Sequence, residues 1–217
     1  MDIKGKKINF LGDSITEGAK VEDKSNIYHA RLAKEYGITA RNYGIGGTRI
    51  SRQSTPSQYP VHDRDFIQRV DEMDSDADII VVFGGTNDFG HGDATLGQMT
   101  DRTPYTFYGA CHTLCEKLIE KYPEALIVFM TPLHRCNEDN PRGDGYMPER
   151  GVLKEYVEII KEVTEYYSIP TLDLWSCSSI QPKNPIIKEK YCPDGLHPND
   201  AGHAIIASRL AGFLASL

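Results

Sequence analysis

The sequence predicts an α/β protein, a three-layer α/β/α sandwich with a mainly parallel sheet at its centre. Short apolar segments alternate along the chain with longer amphipathic segments of helical period, as in successive βαβ units. The apolar segments are strand-sized and apolar on both faces, which is typical of parallel strands that helices cover on both sides. No linker or internal repeat interrupts the 217 residues, so we expect a single domain over residues 1–217.

The elements follow one another in a regular order. Strands are predicted over residues 7–11, 39–43, 79–83, 126–130 and 170–174. Helices are predicted over residues 28–36, 65–73, 106–121 and 152–167, with a last helix capped by Asn199. Four long segments, 44–63, 84–105, 131–150 and 175–198, are predicted as loops after strands. They would lie at the carboxyl ends of the strands, where open α/β sheets bind ligands.

The charge of the chain argues against some classes of partner. Lys and Arg number 24 and Asp and Glu 31, a net charge of −7, which does not suit binding to nucleic acid or to an anionic membrane. The apolar runs are too short to span a bilayer. The N-terminus also lacks the apolar stretch of a secretory signal, so we expect a cytoplasmic protein without membrane insertion.

The five cysteines form no metal-binding pattern. Cys111 and Cys115 lie one helical turn apart, but no C-x-x-C pair exists and no further ligands at matching spacing are found. We expect ordinary thiols. A single disulfide among Cys136, Cys177 and Cys192 stays open, although a reducing compartment would disfavour it.

Four short motifs stand at the predicted strand ends or just before the last helix. The first, GDSIT at 12–16, turns from strand to helix and can expose both the hydroxyl and the N–H of Ser14. The second, NYGIGGT at 42–48, lets a ligand approach the backbone closely, and it lacks the spacing of a dinucleotide fingerprint. The third, GGTND at 84–88, offers the side-chain amide of Asn87.

The fourth motif, DGLHP at 194–198, places Asp194 three residues before His197. The carboxylate can fold back onto the Nδ1–H of the ring and leave Nε2 able to take a proton. Each motif alone also has a structural explanation, as a helix cap or a turn. Together they supply a nucleophile, a base, an orienting carboxylate and oxyanion donors, the set that acyl transfer requires.

In their sequence and order, GDSIT, NYGIGGT, GGTND and DGLHP resemble the four blocks of the SGNH/GDSL hydrolases. The resemblance runs from Gly12 to His197 and into the last helix. It implies a flavodoxin-like five-stranded sheet in the order 2-1-3-4-5. It also implies an ester hydrolase that needs no metal and no other cofactor.

The resemblance also implies roles for individual residues. Ser14 would be the nucleophile, His197 the general base and Asp194 its partner. The oxyanion hole would consist of the N–H groups of Ser14 and Gly47 and the amide of Asn87. Within the glycine-rich block, Gly44 and Gly46 are alternative matches to the Gly47 position.

Other residues of the loops are candidates for less specific roles. His62, His91 and His134 are rival bases, but none has a carboxylate at the spacing of Asp194 and His197. Two metal sites are conceivable, one from His91 and Asp93 and the other from His62, Asp63 and Asp65, although we expect no metal.

The substrate is the least specified feature. The long loops are polar, unlike the apolar lid of a lipase. Seven of the eleven arginines lie in or beside these loops: Arg49, Arg52, Arg64, Arg102, Arg135, Arg142 and Arg150. We therefore expect a locally cationic opening, with substrate contacts from Asp13, Arg49, Arg135 and Tyr105. The alternatives are that Asp13 only caps a turn and that the arginines pair with neighbouring carboxylates.

These features favour a small-molecule ester as the partner, with a short acyl chain or a carbohydrate O-acyl (acetyl) group. A lysophospholipase or thioesterase is the alternative within the same chemistry. A non-catalytic anion- or sugar-binding module is the alternative of another class. A homodimer is compatible with the sequence.

Overall fold

A computed structural model of the chain describes residues 1–141 and 150–217. At its centre, five parallel strands pair in the order β2-β1-β3-β4-β5. They are β1 (Lys7–Gly12), β2 (Thr39–Gly44), β3 (Ile79–Phe83), β4 (Leu126–Met130) and β5 (Thr171–Leu172). The predicted order 2-1-3-4-5 is confirmed, and every neighbouring pair is parallel.

The strands end level with one another. Gly12 at the end of β1 pairs with Gly44 of β2 and with Phe83 of β3, and Phe83 pairs with Met130 of β4. All five residues of β3 are buried, because helices cover both faces of the sheet. The loops after these strands therefore begin at one edge of the sheet, where the predicted site residues lie.

Long amphipathic helices form the two outer layers. They are α2 (Tyr28–Tyr36), α5 (Phe107–Lys121), α6 (Leu153–Tyr166) and α9 (Asp200–Ser216). Neighbouring strand residues face opposite layers: Phe10 packs in the apolar cluster beneath α2 and α9, and Leu11 in the cluster beneath α5 and α6. The predicted three-layer sandwich is thereby confirmed.

The predicted loops contain short helices that the sequence did not reveal. These are α4 (Thr86–His91), α7 (Leu174–Cys177), α8 (Pro185–Tyr191) and a 3₁₀ turn at Pro60–Asp63. Segments of four to seven residues are too short to display a helical period, which explains why the prediction missed them. By contrast, α1 (Ser14–Glu17) follows β1 where the GDSIT motif was predicted to turn into a helix. Of the predicted loop 131–150, residues 142–149 lie outside the described residues.

Two predicted elements are shorter than expected. The helix predicted over 65–73 consists of α3 (Phe66–Arg69) followed by a 3₁₀ turn at Val70–Glu72. The last strand stops at Leu172, because the side chain of Asp173 accepts the N–H of Ser176 and begins α7.

All five cysteines are free thiols, so the disulfide left open by the sequence does not form. Cys111 and Cys115 are buried in α5, and the loss of solvation raises the pKa of both thiols. Within residues 1–141 and 150–217, no helix has the length and apolar character needed to cross a membrane.

The packing of α5 against the sheet gives a stability prediction. Leu114 is fully buried, and its replacement by alanine leaves a cavity, so Leu114→Ala should lower the free energy of unfolding by about 2–5 kcal/mol. Ile119 lies on the same helix with 40% of its surface exposed. Ile119→Ala should therefore cost much less, and equal losses in urea denaturation would contradict the packing described.

Candidate active site

At the carboxyl edge of the sheet, two residues that lie 183 positions apart in the chain come within hydrogen-bond distance. The Oγ of Ser14 lies 3.0 Å from the Nε2 of His197. The Nδ1 of the same imidazole lies 2.8 Å from the Oδ2 of Asp194. The three side chains form one continuous hydrogen-bonded chain from hydroxyl to carboxylate, as the sequence predicted.

A tight turn fixes the carboxylate in this chain. The Oδ1 of Asp194 accepts the backbone N–H of Leu196 at 2.9 Å and that of His197 at 2.7 Å. Partial burial alone would raise the pKa of Asp194, but the backbone N–H and the ring of His197 outweigh it and lower the pKa. Asp194 is therefore ionised at neutral pH, and it favours the tautomer with the proton on Nδ1 and a free lone pair on Nε2.

Ser14 owes its position to the turn between β1 and α1. It is the first residue of α1, and the side chain of Asp13 caps the helix by accepting the N–H of Ile15 at 2.9 Å. In the described part of the chain the N–H of Ser14 has no acceptor, as is usual for the first turn of a helix. Both the hydroxyl and the N–H of Ser14 are thus available at the edge of the sheet.

A buried arginine, which the sequence analysis did not single out, ties this turn to β2. The guanidinium of Arg69 donates to the carbonyl oxygens of Gly12, at 3.0 Å, and Tyr43, and to the Oγ1 of Thr48 at 2.9 Å. It lies 4.7 Å from the centroid of the Phe66 ring. Burial lowers the pKa of Arg69 to about 10, which still leaves the group charged at neutral pH.

The glycine-rich segment after β2 contains three candidate backbone N–H groups, and two of them are already engaged. The N–H of Gly44 donates to the Oδ1 of Asn42 at 2.8 Å, and the N–H of Gly46 donates to the Oε2 of Glu17 at 3.1 Å. The N–H of Gly47 has no acceptor among the described residues. Of the three positions that the sequence left open, Gly47 is the one whose N–H remains available.

Position 47 also excludes any side chain. Gly47 has φ +74°, a left-handed conformation that glycine adopts without strain. A Cβ atom here would lie 2.3 Å from the Cδ2 of His62, so the ring of His62 packs directly against this part of the backbone. The close contact with His62 was not apparent from the sequence, because His62 lies 15 positions further along the chain, in the 3₁₀ turn at Pro60–Asp63.

The side-chain amide that the sequence singled out, that of Asn87, lies in α4. Asn87 is buried, and its Nδ2 donates to the carbonyl oxygen of Thr48 at 3.0 Å. An amide nitrogen carries two hydrogens, so one remains for a ligand. The neighbouring Asp88 accepts the N–H of Ile50, at 3.0 Å, and the N–H and Oγ–H of Ser51, at 2.8 and 2.6 Å. These bonds hold the loop after Gly47 against α4.

Three of the four predicted substrate contacts are largely buried, and their role in substrate binding stays a prediction. Asp13 is only 2% exposed and acts as the helix cap. Arg49 and Arg135 are each 3% exposed. The Nη2 of Arg49 lies 2.7 Å from the Nδ1 of His91, and the guanidinium of Arg135 lies 5.3 Å from the centroid of the Phe89 ring. Asp13 and Arg49 support the loops from within, whereas Arg135 also lines a cavity beside His197.

Tyr105, the fourth predicted contact, is 49% exposed, and its role stays a prediction. Three of the described arginines pair with carboxylates, as in the alternative, and the expected cationic opening stays a prediction. Arg49 pairs with Asp63 at 3.4 Å, Arg52 with Asp65 at 2.8 Å and Arg64 with Glu72 at 2.5 Å. Arg142 lies outside the described residues.

The rival histidines have other partners. His91 contacts Arg49, and the Nδ1 of His134 lies 2.8 Å from the Oε2 of Glu138. Across residues 1–141 and 150–217, no group of three or more His, Cys, Asp or Glu side chains is arranged to hold a metal ion.

Two surface cavities adjoin His197. One has a volume of about 610 Å³ and the other of about 360 Å³. The larger is lined by Lys20, Glu22, Pro193, Asp194, His197, Asn199, Asp200 and Ala201. The smaller is lined by Arg135, Cys136, Asn137, Asp194, Gly195, Leu196 and His197.

A parallel sheet of this order, with a serine, a histidine and a carboxylate joined at its carboxyl edge, defines a class of hydrolases that act on esters. The model of the GDSL-like lipase/acylhydrolase family matches residues 10–205, and the chain belongs to that family. It is accordingly a hydrolase that acts on ester bonds.

Solved structures share the fold. A protein from Lactobacillus plantarum is 32% identical over 98% of both chains, with a TM-score of 0.84. The lipase/acylhydrolase from Enterococcus faecalis is 20% identical, with a TM-score of 0.65 over 97% of this chain and 96% of that one. A member of the lipolytic G-D-S-L family from Veillonella parvula is 17% identical, with a TM-score of 0.67 over 97% and 99%. A comparison with curated proteins found no match.

The helix cap beside Ser14 gives a pH prediction. Burial raises the pKa of Asp13 to about 7, against the opposing effects of the Ile15 N–H and Arg69. The folded state therefore binds this proton more tightly than the unfolded state, in which the pKa is about 4. The resulting stability is present below about pH 4 and is lost as the pH rises toward 7, by up to about 4 kcal/mol.

Asp13→Asn keeps the cap and removes the titration, so its unfolding free energy should fall less between about pH 5 and pH 8 than that of the wild type. Urea denaturation of both proteins at each pH measures the difference, and the contributions of all other groups cancel. Parallel profiles for the two proteins would contradict a buried Asp13 with a raised pKa.

Proposed function

We propose that the chain is a serine esterase in which Ser14 is the nucleophile, His197 the general base and Asp194 the residue that orients the base. One observation carries the proposal: the hydrogen-bonded chain from Ser14 through His197 to Asp194. The 3.0 Å contact is within the reach at which a base removes a proton from a hydroxyl.

The first half of the reaction forms an acyl-enzyme. The Oγ of Ser14 attacks the ester carbonyl carbon while the Nε2 of His197 takes the hydroxyl proton. The carbonyl oxygen becomes an oxyanion, which the N–H groups of Ser14 and Gly47 and the amide of Asn87 stabilise. Removal of one such donor typically costs roughly 3 kcal/mol in the transition state. The unengaged N–H of Gly47 supports its place in this set.

The second half releases the acid. The imidazolium of His197 gives its proton to the leaving alcohol oxygen, and the carbon–oxygen bond of the ester breaks. A water molecule then gives a proton to His197 and attacks the acyl-enzyme, and Ser14 recovers its proton as the acid leaves. Asp194, whose pKa is lowered, remains ionised and stabilises the imidazolium in both halves.

We favour this activity over a non-catalytic binding module. A site that only binds an anion or a sugar has no use for a histidine whose Nδ1 is held by a carboxylate and whose Nε2 faces a serine hydroxyl. Arg49, one of the two cations expected at an anion site, is buried and contacts His91 instead.

For the substrate, we propose a short-chain or carbohydrate O-acyl ester, an acetyl ester above all. Support comes from the larger cavity beside His197, where six of the eight lining residues are polar. Polar side chains at this position can hydrogen-bond to the hydroxyls of a carbohydrate ester.

A series of p-nitrophenyl esters from acetate to palmitate tests this proposal. The kcat/KM should be highest for acetate or propionate and fall by roughly tenfold or more at octanoate, because a site that fits a short acyl group does not accommodate added methylene groups. Ser14→Ala is the control: it should retain the native circular dichroism and lose turnover of every ester. A rate that rises with chain length would contradict the short-chain substrate, and an active Ser14→Ala would contradict the nucleophile.

A further inference from the structure

The larger cavity adjoins the ring that must protonate the leaving group. His197 and Asp194 form one wall of its 610 Å³, a volume within the usual range for small-molecule sites. Neither Ser14 nor the oxyanion donors Gly47 and Asn87 are among its lining residues. In the proposed mechanism the leaving oxygen must come within hydrogen-bond distance of His197, so a cavity at this ring can receive the alcohol part of an ester.

Lys20, which also lines this cavity, comes shortly after the helix that begins at Ser14. The N–H groups of Gly18 and Ala19 donate to the carbonyl oxygen of Ser14 at 3.0 and 2.8 Å, and Lys20 comes next. Lys20 has φ +63°, a left-handed conformation that is uncommon for a residue with a side chain. The position of this lysine is therefore set by the same short helix that sets Ser14.

A second contact fixes Glu22, another residue that lines this cavity. The N–H of Glu22 donates to the Oδ1 of Asp200 at 2.9 Å, and the Nδ2 of Asn26 donates to the Oδ2 of Asp200 at 2.8 Å. The carboxylate of Asp200 is thereby engaged, and it holds the loop of Glu22 against the start of α9, three residues after His197.

The charged ends of Lys20 and Glu22 are the groups left for a ligand. Within the described residues, neither the ammonium of Lys20 nor the carboxylate of Glu22 has an ion-pair or hydrogen-bond partner, although both residues line the cavity. Together they offer hydrogen-bond donors and acceptors with no net charge. A neutral, hydroxyl-rich group satisfies both, because each hydroxyl can accept from the ammonium and donate to the carboxylate.

We infer that Lys20 and Glu22 form the subsite for the leaving alcohol and select a sugar hydroxyl as the esterified group. The inference rests on the proposed function and adds to it the residues that discriminate between alcohols. An aliphatic or aromatic alcohol lacks the further hydroxyls that would bind to both charges.

Two acetate esters with different alcohols test the inference. 6-O-acetylglucose and p-nitrophenyl acetate form the same acyl-enzyme, so a change in their ratio of kcat/KM reports on the alcohol alone. In the double variant Lys20→Gln/Glu22→Gln, the ratio of the sugar ester to the p-nitrophenyl ester should fall by roughly tenfold or more, mainly through a higher KM for the sugar ester.

The double variant Lys4→Gln/Glu124→Gln is the matched control. It removes the same two charges at exposed positions near the opposite end of the strands, and the ratio should stay at the wild-type value. An unchanged ratio in the Lys20/Glu22 variant would overturn the subsite, as would a wild-type enzyme that cleaves only the p-nitrophenyl ester. A wild-type enzyme that cleaves neither ester would refute the esterase itself, and the subsite with it.

Discussion

The hydrogen bond between Ser14 and His197 is the constraint on which the rest of the site depends. It joins the first strand–helix turn of the chain to the loop before the last helix, and a side-chain hydrogen bond tolerates errors of only a few tenths of an ångström. The sheet supplies that accuracy, since β1, β2, β3 and β4 end level at one edge. In the loop before α9, the turn formed by the hydrogen bonds of Asp194 then orients the imidazole of His197.

Buried polar groups beneath the edge keep the turns in place. Arg69 bonds to the backbone at the ends of β1 and β2, and Asp88 bonds to the loop that follows Gly47. A buried charge is stable only when its hydrogen bonds are satisfied, so each of these residues specifies one arrangement of the loops around it. The positions of Ser14, Gly47 and Asn87 follow from these contacts.

Much of this arrangement was predictable from the sequence. Strands β1 to β4 and helix α2 were predicted within one residue of their observed bounds, because apolar period is a local property of the chain. The Ser14, Asn87, Asp194 and His197 motifs were also apparent, since each is a short run at the end of a predicted element.

The remainder depends on tertiary contacts that no local pattern encodes. The positions of Arg49 and Arg135 in loops gave no indication that both side chains point inward. Arg69 was missed for the opposite reason: an arginine on a short helix is usually exposed, and here it is 1% exposed. The choice of Gly47 over Gly44 and Gly46 required knowledge of which N–H groups already have acceptors.

The most direct test of Ser14 as an activated nucleophile is reaction of the folded protein with a fluorophosphonate, followed by mass spectrometry of the peptides. The geometry predicts one label per chain, located on Ser14, since His197 and Asp194 make this hydroxyl nucleophilic where an isolated serine is not. Heat-denatured protein, in which the hydrogen-bonded chain is lost, should take up no label. The absence of labelling in the folded protein, or a label on a residue other than Ser14, would contradict the catalytic role and favour a binding module on the same fold.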